Sequence, residues 1–444
     1  MNKILPFLAI LLYTAFTLAA LDVPTRRIVD DSPLRIALME SWLTETPARV
    51  LGKRPELHTI TGGGRIQVRT ESNSEEFAIV LARELQNNDF PGWAQGSWVL
   101  TRSRTDGSLL RIRVFLRSDP YTYIQFRPFT ADRCQMDVVL YESYIVRSMP
   151  LGIPFERLLV LPVENILALA GDKFPRKYFD PELGMYKDTW SFVSEVRSRL
   201  PGLQFADDGA IDENGNYVFI DTLLSQNASS AGLNCSGFAK WIVDGILKPK
   251  TGTLLPITPL KEAYGSRGSS FTQPWERLRD PFFGLDWCRN LASRAGAVLR
   301  SPAYAALEEF EVRTWPFSQI ILRENGTSSV RSYPGFLMDA GFGIEGLHPL
   351  LYALAIDEPG RIYLAAVNTE IWAPTTQDNQ RGTPRLRQYF HIAVLVPYFN
   401  EQGNFQITVF ESAEETSFNF FKTRYPGHFV NLTRIPIDGT FNPD

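Results

Sequence analysis

The sequence predicts an α+β fold in which a β-rich module precedes a larger domain of mixed helices and strands. Strand-like alternation and turn signals dominate the first third of the chain, whereas helical apolar periods and long apolar strand candidates share the rest. An aromatic content of 12%, with 31 glycines and 30 prolines, is typical of turn-rich folds that contain much sheet. At 444 residues the chain is long enough for two domains.

Several elements are expected within residues 21–150. A serine followed by proline at position 33 starts a short helix that stops near Pro47. A second helix is expected over 75–85, ending at two asparagines. Strands are expected over 97–104 and 108–117, on either side of an Asp-Gly turn, and then over 121–129 and 136–146. The proline- and glycine-containing stretch 149–154 is the candidate boundary, so residues 21–150 are interpreted as the β-rich module and 151–444 as the second domain.

The second domain alternates helix and strand signals. Helices are expected over 188–200, from Cys235 to Pro249, and over 285–299. Strands are expected over 217–220, 362–367, 391–396, 405–411 and 430–437. The acidic stretch 207–213 is interpreted as a solvated turn, because it lacks the glycine spacing of a calcium-binding EF-hand.

A glycine-rich motif at 341–346 has the spacing of a dinucleotide-binding turn. That motif requires a strand before it and a helix after it. A turn shortly upstream leaves little room for the strand, and Pro349 is expected to interrupt the helix. We therefore do not interpret it as a nucleotide site.

The overall charge excludes two general classes of partner. The formal net charge of −4 gives no general attraction to nucleic acid or to an anionic membrane surface. No nucleic-acid partner is therefore expected.

The N-terminus has the pattern of a secretory signal peptide. Lys3 supplies the positive charge, residues 4–16 are largely apolar, and Thr17-Leu18-Ala19 offers small residues for cleavage. This predicts a signal peptide over 1–20 and a periplasmic or secreted protein. A single membrane anchor is the alternative, although the apolar run is short of the roughly 20 residues that span a bilayer. Any membrane contact is expected only through an uncleaved signal.

Cys235 is the residue that best indicates chemistry. Small, turn-forming residues lead into it, and an apolar helical period starts at it. A thiol in the first turn of a helix lies at the positive end of the helix dipole, which favours the nucleophilic thiolate. The alternative is a small core residue, but the tight Asn-Cys-Ser-Gly sequence favours a nucleophile.

The chain has three cysteines, so at least one thiol is unpaired within the monomer. If Cys235 is a nucleophile, Cys134 and Cys288 are the pair that remains for a disulfide. Three free thiols are the alternative.

The segment Asn234-Cys235-Ser236-Gly237-Phe238 resembles the nucleophile motif of the NlpC-type cell-wall cysteine peptidases. The resemblance implies a papain-like fold, in which an antiparallel sheet packs on the cysteine helix. It also implies cleavage of amide bonds in peptidoglycan stem peptides without a metal or organic cofactor. Asn234, Ser236 and Gly237 would form the nucleophile loop, with the backbone N–H of Cys235 and a neighbour stabilising the oxyanion. Asn234 stands where the family usually has an aspartate.

The order of elements in that family implies the remaining catalytic residues. A histidine at the start of a strand follows the cysteine helix, and a polar orienting residue lies on the next strand. His391 and Glu411 occupy these places, and residues 359–364 resemble the strand start that precedes the histidine. The alternatives to Glu411 as the orienting residue are Asn404, Gln406 and Ser412. The remaining histidines of the chain are His58, His348 and His428.

Two departures from the family keep alternatives open. Cys235 and His391 are 156 positions apart, which implies an insertion at about 250–345, and the upstream tyrosine of the family has no counterpart, Tyr217 being too distant. One alternative is a catalytically inactive envelope scaffold or binding protein on a peptidase fold. The other is a thiol amidase or acyltransferase that acts on a non-wall substrate.

Overall fold

The protein is described by a computed structural model that covers residues 22–265, 280–313, 320–322, 328–330, 336–337, 340–372 and 385–444. The expected signal peptide at 1–20 lies outside these residues, as do parts of the expected insertion.

The N-terminal module is an eight-stranded antiparallel sheet in which each strand pairs with the next along the chain. Alternate residues of these strands, such as Val68, Ile79 and Leu100, are fully buried on one face. Two short helices precede the sheet, α1 Ser32–Ala37 and α2 Pro47–Leu51. The strands are β1 Glu56–Thr59, β2 Arg65–Ser72, β3 Glu76–Arg83, β4 Trp98–Ser103, β5 Leu109–Val114, β6 Thr122–Thr130, β7 Arg133–Leu140 and β8 Ser143–Leu151.

Two expectations for this module are wrong. The helix expected over 75–85 is strand β3, which pairs with β2 on one side and β4 on the other. The single strand expected over 136–146 is the β7–β8 hairpin. Its two turn residues, Tyr141 and Glu142, have φ of 45° and 65°. Such turns usually contain asparagine, aspartate or glycine, so this sequence carries no hairpin signal.

The second domain is built on a seven-stranded sheet in the order β13-β14-β19-β15-β16-β17-β18, in which every neighbouring pair is antiparallel. The fold is therefore a mixture of helices and antiparallel sheets, which is compatible with the expected α+β class. The helices are α3 Val163–Ala170, α4 Lys187–Arg199, α5 Cys235–Thr251, α6 Phe283–Leu299, α7 Leu307–Phe310, α8 Leu347–Asp357 and α9 Phe418–Arg424. The strands are β9 Gly209–Ile211, β10 Tyr217–Phe219, β11 Ile320–Leu322, β12 Ser328–Val330, β13 Phe336–Leu337, β14 Gly341–Gly343, β15 Arg361–Trp372, β16 Arg385–Phe399, β17 Phe405–Glu411, β18 Glu414–Ser417 and β19 Phe429–Pro436.

Helices cover both faces of this sheet. Val394 of β16 belongs to the same core as Phe238 of α5 and Leu291 of α6. Leu395, the next residue, belongs to a separate core with Leu351 of α8 and Phe421 of α9. Because both faces are buried, the central strands are continuous apolar runs.

Helix α6 comes from the region expected to be an insertion, and it is part of the core. It packs against α5, β15, β16 and β19. The indole Nε1 of Trp287 in α6 donates to the carbonyl oxygen of Ser236 in α5 at 2.9 Å. This bond ties α6 to the first turn of the cysteine helix.

The two parts of the chain pack closely on each other. A guanidinium N–H of Arg117, in the N-terminal module, donates to the carbonyl oxygen of Gly403, which precedes β17. The ring centroids of Tyr141, in the β7–β8 turn, and His348 in α8 are 4.0 Å apart. The buried core is continuous across the expected boundary at 149–154.

The glycine-rich motif at 341–346 lacks the geometry of a dinucleotide site. Its first glycine lies within β14 instead of following a strand. The expectation that Pro349 interrupts the helix is wrong, because α8 continues to Asp357. A proline is tolerated in the first helical turn, where its missing N–H has no helical acceptor.

Candidate active site

Asn234 is the N-cap of α5, and Cys235 is the first residue of the helix. The Asn234 side-chain oxygen accepts a hydrogen bond from the Gly237 N–H at 2.8 Å. Aspartate and asparagine are about equally good at this position. Asparagine in place of the aspartate of the NlpC-type motif therefore still caps the helix.

Gly237 allows the first turn of α5 to touch strand β9. A Cβ atom at this position would lie 1.9 Å from the carbonyl oxygen of Gly209. The backbone N–H of Asn234 donates to that same oxygen at 3.0 Å. Any side chain at 237 would push the cysteine helix off its support.

Helix α5 is expected to end at Pro249, but it continues to Thr251. Pro249 has no N–H to donate to the carbonyl oxygen of Gly245, four residues earlier. That oxygen accepts instead from the backbone N–H of Asn442 at 2.8 Å. The C-terminal segment thus compensates for the proline and holds the helix.

His391 is expected at the start of a strand. It lies instead within β16, because that strand begins at Arg385. A β-bulge occurs beside it. His391 pairs with Val367 and Tyr389 pairs with Asn368, which leaves Phe390 as the extra residue. Bulges of this kind redirect neighbouring side chains and are common beside active sites.

Glu411 ends β17 and contacts His391 directly. Its Oε2 atom lies 2.6 Å from the Nε2 atom of His391, and its side chain is 3% exposed. The other carboxylate oxygen, Oε1, accepts from the hydroxyl of Thr416 at 3.0 Å and lies 3.8 Å from the guanidinium of Arg424. The carboxylate is therefore engaged through both oxygens.

The three alternatives to Glu411 as the orienting residue occupy other positions around β17. Gln406 lies near the opposite end of β17 and accepts from the Tyr398 hydroxyl at 3.3 Å. Asn404 lies in the turn before that strand, and its backbone N–H donates to the Asn400 side chain. Ser412 lies in the β17–β18 turn with φ of 50°.

Cys235 and His391 interact closely enough to change each other's ionisation. Burial opposes charge on both side chains, but their mutual hydrogen bond and charge attraction outweigh it. The pKa of Cys235 is lowered from its ordinary value, and the pKa of His391 is raised to about 9, with Glu411 contributing. The arrangement therefore favours a thiolate beside an imidazolium. Because Nε2 of His391 is bound to Glu411, Nδ1 is the nitrogen left for the thiol.

The pair opens onto a cleft with a volume of about 810 Å³. Both Cys235 and His391 line this cleft. Its walls combine carboxylates with apolar and aromatic side chains. The described lining residues are Asp207, Asp208, Ile220, Asp221, Asn234, Cys235, Ser236, Lys261, Asp280, Phe283, Gly284, Tyr389, Phe390, His391 and Ile392.

The remaining histidines are not in contact with the thiol. His58 is on β1 beside Glu56. His348 is packed among aromatic rings, and burial lowers its pKa to about 4. His428 lies near the cleft, with its ring 5.4 Å from that of Phe390.

All three cysteines are free thiols. Cys134 is buried in β7 and Cys288 is buried in α6, so they form no disulfide with each other. Burial raises the pKa of Cys134 to about 11 and raises that of Cys288 well above its ordinary value.

Sequence reasoning missed two residues that surround the histidine. Thr416 binds Glu411 from the neighbouring strand β18. Tyr425, directly after α9, has its ring centroid 5.4 Å from that of His391. Neither residue belongs to a local motif, so no sequence signal indicates them.

In the part of the chain that the structure describes, no group of three or more His, Cys, Asp or Glu side chains is arranged to hold a metal ion. Within the same ranges, no helix is long and apolar enough to cross a bilayer.

A family model described as Domain of unknown function (DUF8515) matches residues 24–178. This segment contains the eight-stranded sheet and α3, and it ends before Cys235. No curated protein and no solved structure matches the chain. The family match therefore concerns the N-terminal part, and the cleft has to be interpreted from its own geometry.

Proposed function

We propose that the protein is an exported cysteine hydrolase that cleaves amide bonds with Cys235, His391 and Glu411. The observation that carries this proposal is the contact of one histidine with both a helix N-terminal thiol and a buried carboxylate. The thiol and the histidine line the same cleft and shift each other's pKa values, and the carboxylate lies 2.6 Å from the histidine. A nucleophile, a base and an orienting group in this order are the arrangement of covalent hydrolysis.

The first half-reaction uses the charges already present in the cleft. The Cys235 thiolate attacks the amide carbonyl carbon, and a C–S bond forms as the carbonyl electrons move to oxygen. The N–H groups of Cys235 and Ser236 open the helix, where no preceding turn supplies acceptors, so they are available to stabilise this oxyanion. The His391 imidazolium then gives its proton to the leaving nitrogen, and the C–N bond breaks.

The second half-reaction restores the enzyme. Neutral His391 takes a proton from water, and the resulting hydroxide attacks the thioester carbonyl. The C–S bond breaks to release the carboxylic acid product and the thiolate. Glu411 accepts the hydrogen bond from Nε2 throughout, which keeps Nδ1 directed at the reacting groups.

The proposed substrate is a peptidoglycan stem peptide, and the proposed fold type is papain-like. Both rest on the resemblance of residues 234–238 to the NlpC-type nucleophile motif, together with the packing of α5 against β16. The apparent signal peptide supports a periplasmic or secreted location.

The scaffold alternative is less well supported, because a decayed site has no requirement for an intact charge pair. The acyltransferase alternative uses the same intermediate, with a second nucleophile replacing water. Product analysis separates it from hydrolysis.

The test is a zymogram on purified peptidoglycan sacculi with the wild-type protein beside Cys235→Ser. We expect a cleared zone that the variant loses, since removing a nucleophile costs about 10⁴–10⁶ in rate. Mass spectrometry of the soluble products identifies the bond that is cut. Cys134→Ala, which removes a thiol far from the cleft, is the matched control and should retain activity. Clearing by Cys235→Ser would exclude the cysteine mechanism. No clearing by the wild type would contradict the proposed wall substrate and favour the scaffold or an enzyme that acts on a non-wall substrate.

A further inference from the structure

The ring of Tyr425 lies next to the ring of His391. The two ring centroids are 5.4 Å apart, with an angle of 32° between the ring planes. Tyr425 is 7% exposed and is held by the rings of Phe421, Phe390 and His428 at 5.4, 5.8 and 6.1 Å. An aromatic side chain fixed from three directions has little freedom to leave the imidazole.

The same side chain lies beside the carboxylate that orients the histidine. Arg424, which precedes it, has its guanidinium 5.4 Å from the Tyr425 ring centre and 3.8 Å from Oε1 of Glu411. Burial, followed by the negative charge of Glu411, raises the pKa of Tyr425 to about 12. Tyr425 is absent from the residues that line the cleft. The ring is thus next to His391 and close enough to Glu411 for the charge of that carboxylate to raise the pKa of Tyr425.

We propose that Tyr425 is a positioning residue whose ring excludes water from the hydrogen bond between His391 and Glu411. An ion pair is stronger where water is excluded, because the local dielectric is lower. A stronger pair keeps His391 protonated, and the imidazolium in turn stabilises the Cys235 thiolate. This inference rests on the proposed pairing of Cys235 with His391, but it involves no substrate.

The expected pH behaviour depends on every charged group near the histidine. Glu411 from β17 favours its protonated form, as does the Cys235 thiolate from α5, and Arg424 at the end of α9 opposes it. Removing the Tyr425 ring leaves these groups in place and exposes them to water. Exposure weakens the ion pair, and it also relieves the burial that opposes charge on His391. We expect the weakening of the pair to be the larger effect. The other described titratable side chains around the thiol, the cleft and the Tyr425 ring are Cys288, His428, Tyr389, Asp207, Asp208, Asp221, Asp280 and Lys261.

The experiment measures the rate of iodoacetamide labelling of Cys235 across pH, with mass mapping, in the wild type, Tyr425→Phe and Tyr425→Ala. We expect Tyr425→Phe, which keeps the ring, to match the wild type. Tyr425→Ala should raise the pH midpoint of labelling by about 0.5 to 1 unit, as expected when a nearby ion pair is weakened. If Tyr425→Ala does not fold, Tyr425→Leu replaces it, with a smaller shift in the same direction.

An unchanged midpoint in Tyr425→Ala or Tyr425→Leu overturns the inference, because a purely structural side chain would not set the thiolate pKa. A shift in Tyr425→Phe equal to that in Tyr425→Ala also overturns it, by assigning the effect to the hydroxyl. Labelling requires no substrate. A protein that shows the shift but clears no sacculi therefore contradicts the proposed hydrolysis and leaves this inference standing.

Discussion

The Nε2 atom of His391 lies 2.6 Å from the Oε2 atom of Glu411, and this contact links the proposed base to a buried carboxylate. On one side the carboxylate is buried and bound to Thr416. On the other side the imidazole meets the thiol of Cys235. The relationship assigns Glu411 the task of orienting the ring and holding its charge.

Glu411→Gln should be impaired but still active. The amide oxygen can accept from Nε2, so the ring orientation survives, while the negative charge that supports the imidazolium is lost. We expect kcat to fall by about 10–100-fold, equivalent to one to two pKa units of lost pairing. Glu414→Gln is the matched control, since Glu414 is exposed and pairs with Glu411 across the β17–β18 turn. Undiminished activity in Glu411→Gln would remove the orienting role from this residue.

Thr416→Val should produce a smaller defect of the same kind. Valine keeps the shape of threonine but cannot donate to Oε1 of Glu411, where the hydroxyl now donates at 3.0 Å. A hydrogen bond to a charged group contributes about 1.5–3 kcal/mol to stability, and we expect only part of this to act on the transition state, as a loss of about 2–10-fold in kcat. Thr416→Ser should restore the rate. Equal rates for the valine and serine variants would show that this hydroxyl does not support the site.

Of the four histidines, only His391 should be required. His391→Ala removes the base and should cost about 10²–10⁴ in rate. Alanine variants of His58 and His348 should stay active, and His428→Ala should show at most a small loss through its contacts with Phe390 and Tyr425. An inactive His428→Ala beside an active His391→Ala would show that the base is His428 and not His391.

His348 should make the protein sensitive to acid. Burial, followed by the charge of Lys422, lowers its pKa from 6.5 to about 4. The unfolded chain therefore binds a proton that the folded chain does not, and stability falls as the pH drops from about 6.5 towards 4. The cost at pH 4.5 is about 2–3 kcal/mol.

His348→Phe provides the measurement, since it keeps a ring against Tyr141 and Phe405 but cannot titrate. Urea unfolding at pH 7 and pH 4.5 should show a smaller loss of stability in this variant than in the wild type. The same loss in both proteins contradicts the assignment.

The strands of the second domain could be predicted where local pattern and environment agree. The range 405–411 is expected as a strand and is β17. Glu411 at its end is implied by the resemblance to the order of elements in NlpC-type enzymes. Strand β3 was misjudged because residues on both of its faces, such as Ile79 and Val80, are buried. Alternation is then absent, and the apolar run has no period that distinguishes strand from helix.

The contacts that complete the site depend on tertiary structure. Thr416 reaches Glu411 only because a tight turn brings β18 beside β17. Tyr425 reaches His391 only because α9 folds back over the sheet. His391 is placed by a bulge at Phe390. Because the bulge depends on how β15 and β16 pair, the sequence of neither strand indicates it.

The central claim is that Cys235 is a thiolate nucleophile paired with His391, and its labelling by iodoacetamide across pH tests this most directly. In the native protein, Cys235 should be the fastest of the three thiols, with a midpoint below the free value of about 8.5. His391→Ala should move that midpoint upward. Cys134 and Cys288 should label slowly, because burial raises both of their pKa values. A Cys235 midpoint at or above the free value, unchanged in His391→Ala, would contradict the pairing and favour a non-catalytic protein.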